Sequence, residues 1–325
     1  MPFARFLGAL QGVVAVAALA ASACAGAQSF PDRPIRIIVP YSSGSITDVI
    51  ARLAAANLSE RIKQPVVIDS KTGAGGIIAL KALQASKADG YTLGLIPSGS
   101  VVQPWLMKDM PFDVRKDFQA VSMLYAGPLM LVVPPQFPAQ NLVELVAYAK
   151  ANPDKVFYGS SGAGTATQLS AELMKQAAGL EMTHVPYRGS ADVYTAMLSG
   201  NVNAYFDLYG TAKPLIDAGK VRVLGVTSAR RMAVLPDVPA IAEVAPGYEV
   251  LGWTGFAVPL GTPKDVVDKL AAALRATLHS PELSKRLLEM GVEPGGNTPA
   301  EMTRFIAAEY DKWGLITRRA GMKPE

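Results

Sequence analysis

The chain has 325 residues, with 31 basic and 27 acidic side chains and a formal net charge of +4 at pH 7. The charges are scattered and form no basic run, which argues against a nucleic-acid partner. Two widely separated histidines, His184 and His279, and a single cysteine, Cys24, argue against a metal site and a disulfide framework, and we expect no cofactor.

Residues 1–27 have the pattern of a secretory signal sequence. Arg5 precedes an apolar run from Leu7 to Ala21, and Ala25-Gly26-Ala27 supplies small residues before a cleavage point. We therefore predict export to the periplasm and a mature chain that begins at Gln28. It would keep 298 residues (325 − 27) and a net charge of +3 (30 basic residues against 27 acidic), which is enough chain for two domains.

Two other interpretations of this segment are less favoured. The apolar run is shorter than the roughly 20 residues that a membrane-spanning helix needs. A lipid anchor at Cys24 would need a large apolar residue before the cysteine, and Ala21-Ser22-Ala23 does not supply one. Cleavage as predicted removes Cys24, so the mature chain would have no thiol nucleophile.

Short apolar runs alternate with helical patterns along the remaining chain, which predicts an α/β fold with mixed, mostly parallel sheets. The predicted strands lie at 35–40, 66–69, 92–96, 129–133, 156–159, 183–186, 204–208, 221–227 and 256–259. Capping-box spacing predicts three helix starts, at Ser45 with Asp48, Asn141 with Glu144 and Thr165 with Gln168. For Asp48 we favour a helix cap over a ligand contact.

Two runs bounded by Gly and Pro, 129–134 and 252–259, are the predicted crossings between two lobes. No long linker or internal repeat lies between them. We predict that 28–130 and 254–325 form one lobe and that 131–253 form the other, with a ligand cleft at the hinge.

Two loops have the features of an anion-binding pocket. Each joins a predicted strand to a helix start, where hydroxyls and unpaired backbone N–H groups favour a carboxylate or phosphate. The second loop lacks both the Lys of a phosphate-binding loop and the third glycine of a dinucleotide fingerprint, and a glycine-rich connection without a ligand is its alternative. The candidate ligand-binding residues are Tyr41, Ser42, Ser43, Gly44 and Ser45 in the first loop and Ser161, Gly162, Ala163, Gly164 and Thr165 in the second.

Further candidates follow other predicted strands, where open α/β sheets place their ligands. Arg188 would either pair with a ligand carboxylate or stay solvated, and Asp207 would either bind a ligand hydroxyl or, as we slightly prefer, cap a helix. Tyr41 and Tyr209 would face the ligand or pack the hinge. We interpret Gly73-Ala74-Gly75-Gly76 as a supporting loop first and a pocket contact second. The additional candidates are Ser98, Ser100, Arg188, Asp207 and Tyr209.

An exported hydrolase is the enzyme alternative, in which a loop serine would act with His184 and Asp207. The sequence has no Gly-x-Ser-x-Gly elbow in the second loop, and His184 falls inside a predicted strand. We therefore predict a binding protein without catalytic residues.

Eight short motifs follow one another along the predicted mature chain, at Pro34 to Tyr41, Thr47 to Arg52, Gly73 to Gly76, Asp89 to Leu93, Ser161 to Thr165, Val185 to Gly189, Leu235 to Pro239 and Trp253 to Gly255. In this order they are similar to the motifs of the Bug family of periplasmic solute receptors, which serve tripartite tricarboxylate transporters. The resemblance covers essentially all of the predicted mature chain.

The resemblance implies a two-lobed periplasmic-binding-protein fold of the Venus flytrap type II, which closes on a small carboxylate, either a dicarboxylate or an aromatic carboxylate. It implies delivery to an integral-membrane permease with one large and one small subunit, and we expect the receptor to be a monomer. It also implies that Tyr41 to Ser45 and Ser161 to Thr165 hold the ligand carboxylate, partly through backbone N–H groups and waters. The first loop departs from the family, because Ser42-Ser43-Gly44-Ser45 stands where Pro-Gly-Gly is usual, which suggests altered ligand contacts. A sensory receptor that passes the same signal to another partner is the alternative function.

Overall fold

The computed structural model describes residues 30–319, so the predicted signal sequence lies outside the described residues. The strands are β1 (Ile35–Val39), β2 (Val66–Ser70), β3 (Thr92–Pro97), β4 (Phe118–Val133), β5 (Phe157–Ser160), β6 (Thr183–Pro186), β7 (Ala204–Leu208), β8 (Arg222–Val226), β9 (Leu251–Pro259) and β10 (Glu293–Pro294). The α-helices are α1 (Ile46–Ile62), α2 (Ile77–Gln84), α3 (Gln103–Leu106), α4 (Leu142–Ala151), α5 (Ala166–Ala178), α6 (Ser190–Leu198), α7 (Tyr209–Asp217), α8 (Lys264–Leu278), α9 (Pro281–Glu289) and α10 (Pro299–Arg319). Short 3₁₀ helices cover Ala74–Gly76, Ser98–Val101 and Ile241–Glu243.

The strands follow the order β2-β1-β3-β9-β4-β7-β5-β6, with β8 and β10 also paired to β4. β1 is parallel to β2 and β3, and β5 is parallel to β6 and β7, as expected for strands joined by helical crossovers. The long strands β4 and β9 pair antiparallel with each other and with β3, β7 and β8. The predicted mixed α/β architecture is therefore observed, with the antiparallel pairs contributed by the crossing strands.

The strand β4 changes its partners along its length. Its residues Phe118 to Pro128 pair with β9, and its residues Leu129 to Val133 pair with β7 and β8. The first lobe is thus built on β1, β2, β3 and β9, the second on β5 to β8, and β4 runs through both. The limits 28–130 with 254–325 and 131–253 stay a prediction.

The crossing strand β4 (Phe118–Val133) is much longer than the predicted crossing 129–134, whereas β9 (Leu251–Pro259) agrees closely with the predicted crossing 252–259. Ser122 interrupts the apolar pattern of β4. It is nevertheless buried, because its hydroxyl donates a hydrogen bond to the carbonyl of Asn297 at 2.8 Å. A contact between residues so far apart in sequence cannot be predicted from the local pattern.

The core consists of the strands and the helix faces packed on them, with Trp253, Tyr158, Tyr205, Tyr248 and Phe206 among the largest fully buried side chains. Among the helices of residues 30–319, none has the combination of length and apolarity that crossing a bilayer requires. No group of three or more His, Cys, Asp or Glu side chains placed to hold a metal ion occurs in the described part of the chain.

Candidate functional site

The first predicted loop lies between β1 and α1, and two of its residues cap the helix start through side-chain hydrogen bonds. The Ser45 hydroxyl accepts a hydrogen bond from the Asp48 N–H at 3.2 Å, and Asp48 Oδ2 accepts one from the Gly44 N–H at 3.0 Å. Asp48 is buried and also bonds the Arg52 guanidinium, with Nε 2.9 Å from Oδ2. Burial alone would raise the pKa of Asp48, but the bonds from Arg52, Gly44 and the Ser70 hydroxyl hold it below its ordinary value. The structure confirms that Asp48 is a cap residue.

The second predicted loop joins β5 to α5, and the helix starts after Thr165 as predicted, but the predicted side-chain cap is not formed. The Thr165 hydroxyl caps no N–H group; it donates to the carbonyl of Gly162 at 2.7 Å and lies 2.8 Å from the Thr167 hydroxyl. The Gly164 N–H instead donates to Gln168 Oε1 at 2.6 Å. Because Gln168 accepts the hydrogen bond from the N–H just before the helix, the Thr165 hydroxyl can bond within its own loop. The predicted start at Asn141 does hold, since its Oδ1 accepts from the Glu144 N–H at 2.9 Å.

A small polar cavity of about 60 Å³ lies where these two loops face each other. Hydroxyl groups dominate its wall, and the described residues that line it include no Lys, Arg or His. The N-terminal ends of α1 and α5 both contribute to it, so their partial positive charges favour an anion there. Its lining consists of Tyr41, Ser42, Ser45, Ile46, Thr47, Ser98, Tyr125, Leu129, Ser161, Thr165, Ala166, Thr167, Gly189, Ser190, Asp207, Leu208, Gly252, Trp253 and Thr254.

A second cavity of about 320 Å³ shares two lining residues with this site, Tyr41 and Ser161. The exposed Arg188 lines it, and within residues 30–319 this guanidinium makes no ion pair. The loop 73–76 lines it as well. This loop does not line the small cavity, so pocket contact as its second role stays a prediction.

The predicted candidates thus divide into three groups. Seven line the small cavity: Tyr41, Ser42, Ser45, Ser98, Ser161, Thr165 and Asp207. Three more line the second cavity: Gly162, Ala163 and Arg188. Five line neither of the two: Ser43, Gly44, Ser100, Gly164 and Tyr209. Gly44 has a φ of +84°, which explains its place in the loop by backbone conformation.

Several lining residues escaped the sequence analysis because they do not belong to the strand-to-helix loops. Tyr125 and Thr254 lie on the crossing strands β4 and β9, and Thr47 lies in the first turn of α1. The Tyr125 and Thr47 hydroxyls are 2.7 Å apart. A correct length for β4 would have indicated Tyr125, whereas Thr254 lies inside the predicted crossing 252–259 and lacked only a signal that its side chain faces the cavity.

The two lobes touch across the cleft through glycine backbone. An added Cβ at Gly99 would lie under 3.0 Å from the carbonyl oxygen of Gly164, and one at Gly75 would lie 2.7 Å from that of Ala163. Within the first lobe, Gln103 Nε2 donates to the Gly75 carbonyl at 3.0 Å and further limits the space at Gly75. The loops of the two lobes therefore approach closely enough that side chains at Gly75 and Gly99 would not fit.

Asp207 is the one acid among the described residues lining the small cavity, and it is only 3% exposed. Its Oδ1 accepts hydrogen bonds from the Leu208 N–H at 2.9 Å and the Ser190 hydroxyl at 3.3 Å. Its Oδ2 has no hydrogen-bond partner among the described residues. The slightly preferred role as a helix cap is wrong, because the start of α7 has no side-chain cap. Burial, only partly offset by these hydrogen bonds, raises the pKa of Asp207 to about 7.

The catalytic triad of the hydrolase alternative is not assembled. Ser160 Oγ lies 2.7 Å from His184 Nε2, but His184 Nδ1 faces Gln168 Nε2 at 3.3 Å, while Asp207 bonds Ser190 and Leu208. Ser160 is also fully buried. A serine without access to substrate and a histidine without an orienting acid do not form a nucleophile–base–acid relay.

Comparison with known proteins agrees with this geometry. The R. palustris protein Rpa4515, solved with adipate, is 37% identical with a TM-score of 0.87, over 91% of this chain and 100% of that one. MatC from Rhodopseudomonas palustris with bound malate is 29% identical with a TM-score of 0.83, over 88% of this chain and 99% of that one. The protein BugT of Bordetella pertussis is 33% identical over 326 residues, which is 99% of each chain. The two-lobed periplasmic-binding-protein fold is thereby confirmed.

The family described as tripartite tricarboxylate transporter family receptor matches residues 50–322. Its members are solute-binding receptors and not enzymes, which excludes the hydrolase alternative. This chain therefore belongs to the tripartite tricarboxylate transporter receptor family, and it is a solute-binding receptor of the periplasmic-binding-protein class.

Proposed function

We propose that this receptor captures a small dicarboxylate in the periplasm by closing its two lobes, and that it delivers the ligand to the large and small permease subunits of a tripartite tricarboxylate transporter. The observation that carries the proposal is the small cavity, into which the starts of α1 and α5 and many hydroxyls converge. Neutral donors of this kind bind a carboxylate without a fixed cation, as helix N-termini do elsewhere. Adipate and malate, found with two related structures, belong to the dicarboxylate class.

The size of the cavity and the contacts around it support domain closure. A cavity of about 60 Å³ leaves little room for a dicarboxylate, which supports entry of the ligand when the loops part. The lobes are linked at β4 and β9, and hinge motion at these strands would open the cleft without unfolding either lobe. The ligand then favours the closed state because only that state offers donors from both loops.

The remaining parts of the proposal rest on the sequence. The predicted signal sequence of residues 1–27 supports export to the periplasm, and a single cleft serving one ligand is consistent with a monomer. Uptake and sensing differ only in the partner that reads the closed state. Deletion of the gene should abolish uptake of the bound dicarboxylate if the partner is a permease, and unchanged uptake would favour the sensory alternative.

The first test is calorimetric titration of the protein from Gln28 onward with mono-, di- and tricarboxylates, including aromatic ones. Ser42→Ala removes a hydroxyl from the cavity wall, whereas Ser43→Ala removes one from the same loop that does not line it. A hydrogen bond to a charged ligand is worth about 1.5–3 kcal/mol, so Ser42→Ala should weaken binding by roughly 10- to 100-fold. Ser43→Ala should leave the affinity unchanged. Binding of no carboxylate, or equal losses in both variants, would contradict the proposed site.

A further inference from the structure

The small cavity combines an expected anionic ligand with a buried acid, Asp207. Its Oδ2 is a buried acceptor without a partner in the described chain, and buried polar atoms of this kind call for an explanation. The Tyr194 hydroxyl is likewise buried without a well-formed hydrogen bond, and it lies close enough to Asp207 to lower the pKa of that carboxyl. Because Asp207 lines the cavity, a ligand bound there can complete the hydrogen bonding of its carboxyl group.

The surroundings of Asp207 contain no charge that could neutralise it. The titratable groups that face it from the packed elements are Tyr125 on β4, Tyr194 on α6 and Tyr205 on β7, with Tyr41 of the first loop next to Tyr205. Burial raises the pKa of each of these tyrosines above its usual range, so all four are neutral near pH 7. A ligand carboxylate bound at this side of the cavity therefore lies next to the Asp207 carboxyl, with no cation from the described residues between them.

Two carboxylates that share a buried site cannot both stay ionised, and one of them takes a proton. Resting on the proposed function, we propose that Asp207 binds one carboxylate of a dicarboxylate ligand in its protonated form and donates the hydrogen bond from Oδ2. Capture of the ligand at pH values where Asp207 is ionised then takes up one proton from solution. Protonated Asp207 thus selects for ligands that place a hydrogen-bond acceptor at this wall. It disfavours ligands that place an ammonium group there.

The proposal predicts a particular pH dependence of affinity. In the empty site Asp207 has a pKa of about 7, and a bound anion raises it further. Above pH 7 the dissociation constant should therefore rise toward tenfold per pH unit, or roughly 50-fold between pH 7 and pH 9. An ammonium group next to Asp207 would give the opposite sign, because it would favour the ionised acid and release a proton.

Titration calorimetry at pH 8 in two buffers of different ionisation enthalpy measures the protons exchanged. With adipate and L-malate as probes, we expect uptake of close to one proton by the wild type. Asp207→Asn supplies a permanent N–H donor of the same shape, so it should bind with an affinity independent of pH and without proton uptake. Asp265→Asn changes an exposed acid that does not line the cavity and should leave the proton uptake unchanged.

The outcomes separate this inference from the function on which it rests. If no dicarboxylate binds the wild type, the proposed function and this inference are both wrong. If the dicarboxylates bind without proton uptake, or with proton release, the receptor function stands and the protonated Asp207 is excluded. If Asp207→Asn does not fold, the wild-type proton count still decides the question.

Discussion

Asp207→Asn is expected to stabilise the ligand-free protein at neutral and alkaline pH. Burial raises the pKa of Asp207 from 3.8 to about 7. Between these two pH values the folded protein therefore keeps a proton on Asp207 that the unfolded chain has released. The stability that this proton contributes is fully present below pH 4 and is lost as pH rises through 7. A shift of about three units at 1.36 kcal/mol each amounts to about 4 kcal/mol, of which about 3 kcal/mol falls between pH 5 and pH 8.

Urea unfolding followed by circular dichroism measures this difference directly. The free energy of unfolding of Asp207→Asn, relative to the wild type, should grow by about 3 kcal/mol from pH 5 to pH 8. The control is Asp265→Asn, since this acid is 71% exposed and lies 3.9 Å from Lys269, a surface pair of little energetic weight. A difference that stays constant with pH, or shrinks as pH rises, would refute the view of Asp207 as a buried proton-binding group.

Two further substitutions test the closed cleft and the first helix start. Gly99→Ala places a methyl group against the carbonyl of Gly164 in the other lobe, so ligand affinity should fall at least tenfold in calorimetry while the free energy of unfolding changes little. As the control, Gly94→Ala places a methyl group against Leu83 inside its own lobe and should lower the free energy of unfolding by about 1–3 kcal/mol. If Gly99→Ala lowered the free energy of unfolding and left ligand affinity unchanged, the assignment of the Gly99 contact to closure would be contradicted. Asp48→Ala removes a cap and its buried bonds and should cost about 1–3 kcal/mol above pH 4. Because the pKa of Asp48 is lowered, that cost should diminish as pH falls below 4 in acid titrations, and a cost that persists unchanged would argue against the ion pair as its source.

The first strand-to-helix unit was predictable because all of its determinants are local. An apolar run forms β1, and Ser45 with Asp48 starts α1 through bonds that span only three or four residues. Thr165 has the same spacing and failed as a cap, because its hydroxyl found closer acceptors in its own loop and Gln168 satisfied the Gly164 N–H. Spacing identifies a helix start, but the competition among nearby polar groups decides which of them caps it.

The crossing strands were harder to predict because their partners are distant in sequence. The first part of β4 contains Ser122 and Gln119, which break the apolar alternation, and its backbone is held by Asn297, whose Oδ1 accepts from the Met123 N–H at 2.6 Å. The ligand-facing Tyr125 therefore went unnoticed. Loop candidates follow from local motifs, whereas the side chains that crossing strands bring into the cleft depend on tertiary pairing.

The departure of the first loop from its family now has a physical interpretation. Of the serines that stand in place of the usual Pro-Gly-Gly, Ser42 and Ser45 line the cavity and Ser43 does not, while Gly44 retains the positive φ that the turn requires. The change thus adds two hydroxyls to the cavity wall. In a site without a cation, each added donor strengthens the hold on an anion, and the buried Asp207 opposes an anion unless it is protonated. We therefore expect ligand choice in this receptor to depend on the balance between these neutral donors and the proton proposed for Asp207.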